Sequence, residues 1–583
     1  VIRLEPCPVD APSLGFSRGK LRPRAIAWFG FTSFWGHLRH LLASAIATDS
    51  VDSRAWMIPD ASHDLLGRAL SVLEPRGARA STTLAGAFGG QVWIDFVADT
   101  GDDVTVSGAV ARLLSSEYEV LGHGVLPRGQ VLIHGGDLAY PVATVREMAR
   151  RLVGPWNAVL EAETDAHEAP PRVLLGVPGN HDWYDGLDGF SRLCQAPCAF
   201  EEPAKLGDAL HPHAEENPVL AWAEAFASGD KVNKPGAMAL AGYVAVQHAS
   251  YFRLPLARGL ELCGVDRQLR GVDARQRAFF RARVPGVARV VILPDPARAW
   301  GETRSNGAAT LAALGLDPAI DATLVLAGDV HHYERSHEHK SVHVVAGGGG
   351  AFLQGARIPQ TGAAYERVVE FPGPRASWAM CKKLPWHLAS GGAGWVITSL
   401  LAIGNTLALV AYFRHGVLGA AATAGVMSAL VALATALLVG WRRHRTHLVV
   451  PFAAMFGVLV GALPVALGVA ADVLGVDELG SAAFGRVLAV FVAMVLSTFA
   501  SGFGFGAMLM VIARLGLNHA QPFAGLGIGG FKHFVRMRVR EIDGQPSSVE
   551  AFVIGVVDPV KGSAPVLVDV FRWDAMEGPR APR

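Results

Sequence analysis

Apolar positions follow two regimes along this chain, and the regimes meet near residue 385. Before that point short apolar runs alternate with helical stretches and with turns rich in Gly, Asp and His, a pattern that predicts an α/β sheet protein. After it, Leu388 to Phe413, Gly416 to Trp441, Leu448 to Ala471 and Val487 to Ala513 contain no Asp, Glu, Lys or Arg. At about 1.5 Å rise per residue each run can cross a hydrocarbon core about 30 Å thick, so residues 386–514 are expected to form an all-α, four-span transmembrane region. Past Asn518 alternation returns in Phe531 to Arg540 (FKHFVRMRVR), then, after a turn at Asp543-Gly544, in Ala551 to Val557 and Val566 to Phe571. These runs predict a small β-rich domain over residues 518–583.

Composition agrees with this division. The 583 residues are 51% hydrophobic and only 18% charged, and the mean hydropathy is +0.30, too apolar for an ordinary soluble enzyme. The net charge of +1 comes with no dominant basic stripe, so nucleic acid is not an expected partner, whereas a lipid bilayer is. Five scattered cysteines fit a reducing compartment better than a disulfide framework. Lys382 and Lys383 precede the first run, Arg442, Arg443 and Arg445 separate the second from the third, and Arg514 follows the fourth. The positive-inside bias therefore predicts a cell-membrane protein with the large N-terminal part and both termini in the cytoplasm. The first 90 residues form a separate segment in which Trp28 to Ala47 is either an interfacial helix or an apolar face packed on the next domain. The uncharged spans suit anchoring or homo-oligomerisation better than ion transport.

Four apolar runs before residue 385 end in Asp, Asn or His beside Gly: Val92 to Gly101, Val131 to Tyr140, Val173 to Asp182 and Leu324 to Arg335. Ligands collect at the carboxyl ends of strands in open α/β sheets, so oxygen and imidazole donors placed there can converge on one metal site. Gly136-Asp137, Gly179-Asn180-His181-Asp182 and Gly328-Asp329-Val330-His331 resemble, in order and spacing, the motif blocks of the calcineurin-like metallophosphoesterase superfamily over roughly residues 91–376.

That resemblance implies a sandwich of two mixed β-sheets flanked by helices, and a pair of metal ions. By it, Asp99 and His331 would bind the first metal, Asp137 would bridge both, Asn180 would bind the second, and His181 would be the catalytic group that assists the leaving oxygen. The first block reads Asp99-Thr100-Gly101 where a D-x-H is usual, a form shared with purple acid phosphatases, and Gly136-Asp137-Leu138-Ala139-Tyr140 has the spacing of their tyrosine ligand. Tyr140 is thus a ligand or a packing tyrosine. Asp329 replaces a histidine, and Asp295 in Val290 to Pro296 stands where another histidine is usual, with His248 an alternative by composition. A second site of Asp137, Asn180, Asp295 and Asp329 would favour Mn²⁺ or Mg²⁺, with Fe or Zn the other ions compatible with the pair. The implied activity is hydrolysis of a phosphomonoester or phosphodiester; the competing expectation is a non-catalytic sensor or scaffold on the same fold.

Overall fold

The computed structural model describes the chain except residues 13, 15–53, 55–56, 75–80, 165–169, 197–237, 268–270, 283–285, 360, 393–394, 440–445, 476–481, 577 and 581–583. The Trp28 to Ala47 stretch and Arg442, Arg443 and Arg445 lie outside the described residues.

Two large mixed sheets dominate an α/β body. The first contains β1 (Glu5–Pro6), β2 (Gln91–Val97), β3 (Val131–His134), β4 (Arg172–Gly176) and β5 (Tyr243–Ala245). The second contains β6 (Phe252–Ala257), β7 (Leu260–Gly264), β8 (Ala288–Leu293), β9 (Thr323–Ala327), β10 (Tyr333–Glu338), β11 (Ser341–Ala346) and β12 (Arg367–Phe371), in the order β12-β10-β11-β9-β8-β7-β6. Strands β2, β3, β4 and β5 run parallel, as do β7, β8, β9 and β11, so both sheets present carboxyl ends of parallel strands.

The period of two along each strand decides what it packs against. Val92, Ile94 and Phe96 of β2 share one buried cluster with Ile133, Val290, Ile292 and Leu326 from both sheets. Trp93 and Val97, one residue out of phase, join Val106, Val110 and Leu114 of helix α1 (Val104–Ser115). Each such fully buried side chain stabilises the fold by about 1.5–3 kcal/mol, so a one-residue slip of β2 would be strongly disfavoured. Helix α1 starts where the Asp103 side chain accepts from Thr105 N and Val106 N at 2.7 and 3.3 Å, a side-chain N-cap.

The C-terminal strands depart from expectation. β13 (Lys532–Arg540), β14 (Ser548–Val556) and β15 (Val566–Asp574) are no separate domain; they extend the first sheet in the order β1-β15-β14-β13-β2-β3-β4-β5, with β13 antiparallel to β2. Nor do their basic residues all form a solvated face. Arg536 pairs in register with Asp95, and both side chains are buried. Its guanidinium donates to Asp95 at 2.7 and 3.0 Å and to the carbonyls of Ser116, Leu126 and Leu114 at 2.8, 3.3 and 2.8 Å. A buried guanidinium is tolerated when its donors meet oxygens in this way.

Between β12 and β13 the chain forms α4 (Pro374–Cys381), α5 (Leu384–Ala389), α6 (Trp395–Val439), α7 (Thr446–Val473) and α8 (Ala482–Arg514). Among the described residues three helices are long and apolar enough to cross a membrane: Ile397–Leu433, Val450–Ala470 and Val487–Arg514. Four were expected. The first two apolar runs are joined without a loop in α6, where only Gly416 leaves helical backbone (φ 60°, ψ −147°). A Cβ built on Gly404 would lie 3.6 Å from the Met427 side chain, although 23 residues of straight helix would separate them by about 34 Å. α6 therefore folds back at Gly416. α7 packs tightly against the second half of α6 through glycine: a Cβ on Gly461 would sit 2.5 Å from Ala424 Cα, the close approach that small residues permit. Asn405, the lone strongly polar side chain of the first run, is buried and donates to Thr498 Oγ1 at 3.2 Å.

Candidate metal centre

Asp99 follows β2, Asp137 follows β3, Asn180 opens the short helix α2 (Asn180–Trp183) after β4, Asp295 follows β8, and Asp329 and His331 follow β9. The parallel strands of both sheets thus deliver donors to one end of the body. Asp99, Asp137 and Asp329 each hold left-handed backbone, with φ of 59°, 55° and 65°. Such conformations cost about 1–3 kcal/mol each and persist where surrounding bonds enforce them.

Those bonds are present. Asp99 N, Thr100 N and Gly101 N donate to the carbonyls of Gly136, Asp137 and Leu138, each at 3.0 Å, and Tyr140 N returns a bond to Gly101 O at 2.9 Å. Asp182 accepts from Asp137 N, Leu138 N and Gly179 N at 2.8, 3.1 and 2.7 Å. Burial pushes its carboxyl up to about 7 against the opposing pull of those three donors. Behind the loops, Gly136 N donates to His134 Nδ1 at 3.2 Å, so His134 Nε2 carries the proton and faces Thr100 Oγ1 at 3.0 Å. Burial lowers His134 to about 3, which keeps the ring neutral. Two glycines have no substitute: a Cβ on Gly179 would lie 2.1 Å from Asp137 Oδ1, and one on Gly347 would lie 2.6 Å from Asp99 Oδ2. The run Gly347 to Gly350 packs on the Asp99 turn as a tight loop, Gly349 N donating to Ala98 O and Ala351 N to Asp99 O at 2.9 Å.

The buried Tyr140 hydroxyl is a hub. It lies 2.9 Å from Asp99 Oδ1, 3.3 Å from Asp137 Oδ2 and 3.2 Å from His331 Nε2. His331 Nδ1 faces Phe352 O at 2.9 Å; a carbonyl only accepts, so Nδ1 carries the proton and the Nε2 lone pair points at the hub. Asn180 donates through Nδ2 to Tyr184 at 3.1 Å, while its buried Oδ1 has no hydrogen-bond partner. His181 N donates to Asp137 Oδ1 at 2.9 Å, and its Nδ1 lies 2.6 Å from Pro141 O.

Charge completes the picture. Burial, then Asp99, Asp182 and Asp329, hold the Asp137 carboxyl well above the usual range. Burial, then Asp295 and Asp99, do the same for Asp329. Among the described residues no lysine or arginine stands at ion-pair distance from Asp99, Asp137 or Asp329. Unpaired buried carboxylates, an orphaned amide oxygen and a bare imidazole lone pair are the donor set of a divalent cation. The residues fit a metal pair.

Asp295 fits less simply. It bonds to Asp329, yet it is also ion-paired with Arg267, so one oxygen is engaged elsewhere. His248 is held by Asp60, with Nδ1 2.7 Å from Oδ1. His332, beside His331, turns away and stacks on Trp300 at 5.7 Å. It belongs to a second buried cluster, in which donor atoms of His332, Glu334 and Glu370 lie within 4.8 Å of one another. That cluster has its own cation, for Arg367 pairs with Glu370 at 3.0 Å. Asp182 was visible in the Gly-Asn-His-Asp block, but its role as a loop clasp was not. Trp300 and Arg304, which border the centre, carry no motif signal at all.

No protein-family model matches the chain, and no curated protein matches it either. Solved structures similar to it include GAP50, the anchor in the inner membrane complex of Plasmodium, at 9% identity and TM-score 0.28, covering 48% of this chain and 78% of that one. PhoD is similar at 13% identity and TM-score 0.23, covering 46% of this chain and 58% of that one. Likeness at these scores adds nothing to what the geometry shows.

Proposed function

We propose that this chain is a membrane-anchored phosphoester hydrolase using two metal ions, built on a two-sheet phosphoesterase sandwich. The observation that carries the reading is the Tyr140 hydroxyl, reached at once by Asp99, Asp137 and His331, beside the unpartnered Asn180 oxygen. Asp99, Asp137, Tyr140 and His331 would hold one ion; Asp137, Asn180 and Asp329, with Asp295 behind, would hold another. A cation pair of this kind neutralises phosphoryl charge and supplies hydroxide near neutral pH. The second, all-oxygen set suits Mn²⁺ or Mg²⁺. His181 contributes orientation and a proton. With Nδ1 engaged by Pro141 O, the proton for a leaving oxygen would come from Nε2.

Topology supports four crossings. β12 and β13 belong to one body, since Tyr333 of β10 donates to Asp569 of β15 at 2.7 Å and β13 pairs with β2. An anchored chain would therefore cross the membrane an even number of times between them, and the reversal at Gly416 would give α6 two crossings. Exposed Lys382, Lys383 and Arg514 flank this segment where it joins the body, which favours a cytoplasmic site.

The test uses metal-stripped, full-length protein in detergent, titrated with Mn²⁺ and assayed on aryl phosphate mono- and diesters. The expected result is about two bound ions per chain and hydrolysis that tracks their binding. Binding without hydrolysis of either ester would favour the sensor reading, to which the engagement of Asp295 by Arg267 already lends weight.

A further inference from the structure

A cavity of about 270 Å³ adjoins the candidate centre, lined by Asp295, Glu302, Thr303, Arg304 and Ser305 among others. Its two carboxylates are paired: Asp295 with Arg267, and Glu302 with Arg357 at 3.0 Å. Arg304 has no such partner among the described residues. Its guanidinium lies over the Trp300 ring, 5.5 Å from the centroid, and its charge acts on Asp329. The residual charge of the cavity is therefore positive. Helix α3 (Ser305–Ala313) begins on the same cavity with no side chain capping its amides, which adds the positive end of a helix dipole.

The position of this cavity is as informative as its charge. On one side Asp295, which lines the cavity, bonds to Asp329. On the other, Trp300 stacks on His519 at 5.3 Å and donates to Gly355 O at 3.0 Å. His519 lies five residues beyond Arg514, the last residue of the membrane-type helix α8. The path thus runs from Asp329 through Asp295 into the cavity, and on through Arg304, Trp300 and His519 to the end of α8: the candidate metal carboxylates at one extreme, the apolar helix at the other.

We propose that the cavity is the inner-phosphate subsite for a lipid diphosphate, an inference that rests on the phosphoesterase reading above. The terminal phosphate would lie at the aspartates, the lipid-proximal phosphate against Arg304 and the start of α3, and the hydrocarbon chain in the bilayer beside α8. In the reaction the oxygen of water bonds to the terminal phosphorus and the P–O–P bridge breaks. The bridging oxygen stays with the lipid as a monophosphate, inorganic phosphate leaves, and no redox partner is required. Arg304 acts by holding the leaving phosphate, whose charge grows as the bridge opens.

A soluble nucleoside diphosphate offers the same anionic pair, so the assay separates the two sources. Full-length protein with Mn²⁺ in mixed micelles is given diacylglycerol diphosphate with long chains, its water-soluble short-chain counterpart, the matching lipid monophosphate, a nucleoside diphosphate and an aryl phosphate. The long-chain diphosphate is expected to be turned over with a kcat/KM about 100-fold above its short-chain counterpart and the nucleotide. Arg304→Gln is expected to raise its KM about tenfold and to shrink the preference for diphosphate over monophosphate. Equal efficiency on long-chain, short-chain and nucleotide substrates, with aryl phosphate still hydrolysed, overturns the lipid assignment and leaves the phosphoesterase reading standing. Equal effects of Arg304→Gln on diphosphate and monophosphate overturn the subsite. Hydrolysis of none of the five overturns both. The chain-length comparison needs no variant, so poor folding of Arg304→Gln would not blunt it.

Discussion

Asp95 and Asp99 lie four residues apart, one on a single strand and the other at its carboxyl end, both fully buried, yet they serve opposite ends. Asp95 is matched by Arg536 across the sheet, with two hydrogen bonds that neutralise it inside the fold. Asp99 meets a tyrosine hydroxyl, the Asp329 amide and a histidine, and no guanidinium among the described residues. The same contrast recurs elsewhere: Asp569 has Arg335 and Glu261 has Arg289, whereas Asp137 meets the Tyr140 hydroxyl and the His181 amide and Asp329 meets Asp295, with no lysine or arginine at ion-pair distance among the described residues. A structural carboxylate in this body is folded together with its cation. A carboxylate of the candidate centre has no such cation folded beside it among the described residues, as the proposed metal reading requires.

The largest effect that could break this contrast is loss of the bridging carboxylate. Asp137→Asn is expected to lower kcat by a thousandfold or more, about the scale of losing a principal transition-state contact, while circular dichroism and thermal unfolding stay near wild type. An inactive variant that also unfolds would erase the distinction between the two kinds of carboxylate. Arg536→Met should do the reverse, costing about 3–5 kcal/mol of stability by stranding Asp95, with turnover per folded molecule little changed; denaturant midpoints and active-fraction titration would read the two separately. Next in size, saturating Mn²⁺ should raise stability by about 2.7 kcal/mol at a hundredfold excess over Kd. Chelator should abolish that gain in wild type, and Asp137→Asn should show little of it. Asp182→Asn sharpens the picture at an intermediate level, since it loosens the clasp on Asp137 without removing a donor, and a 10–100-fold loss of metal affinity or activity is expected.

The smallest effect concerns Glu370, which faces Glu334 in register across β10 and β12. Burial, then the neighbouring Glu334, push its carboxyl up to about 8 from an ordinary 4.5. The folded protein then keeps a proton that the unfolded chain has released, so stability falls as pH rises from about 4.5 to about 8 and levels off above. Glu370→Gln should flatten that slope, as urea unfolding at pH 5, 6.5 and 8 would show.

Much of the centre was legible because its donors sit where strands end beside glycine, and that local chemistry survives in sequence as short blocks. Asp99, Asp137, Tyr140 and His331 meet at one hydroxyl, with Asn180 and His181 in the adjoining helix α2. Partners that act across long sequence separations leave no such trace. Nothing in FKHFVRMRVR announces that Arg536 will meet Asp95, because alternation gives the period of a strand and not the identity of its neighbour. The same limit turned the last strands into an expected separate domain. In the long apolar segment, hydropathy marked the runs, but not that a single glycine, Gly416, would join the first two and reverse the chain.

The pairing of β13 with β2 also sets an order of events during synthesis. Arg536 lies 441 residues after Asp95, and the three helices long and apolar enough to cross a membrane, counted among the described residues, are translated between them. Until the last of those helices has left the ribosome, β2 has an unpaired edge and Asp95 an uncompensated charge, so the nascent soluble half cannot reach its final state. Synthesis of the long apolar helices thus precedes completion of the sheet that carries Asp99 and Asp137. A chain released early would be unfinished, so completion of the candidate centre is tied to synthesis of the long apolar helices without any separate regulator.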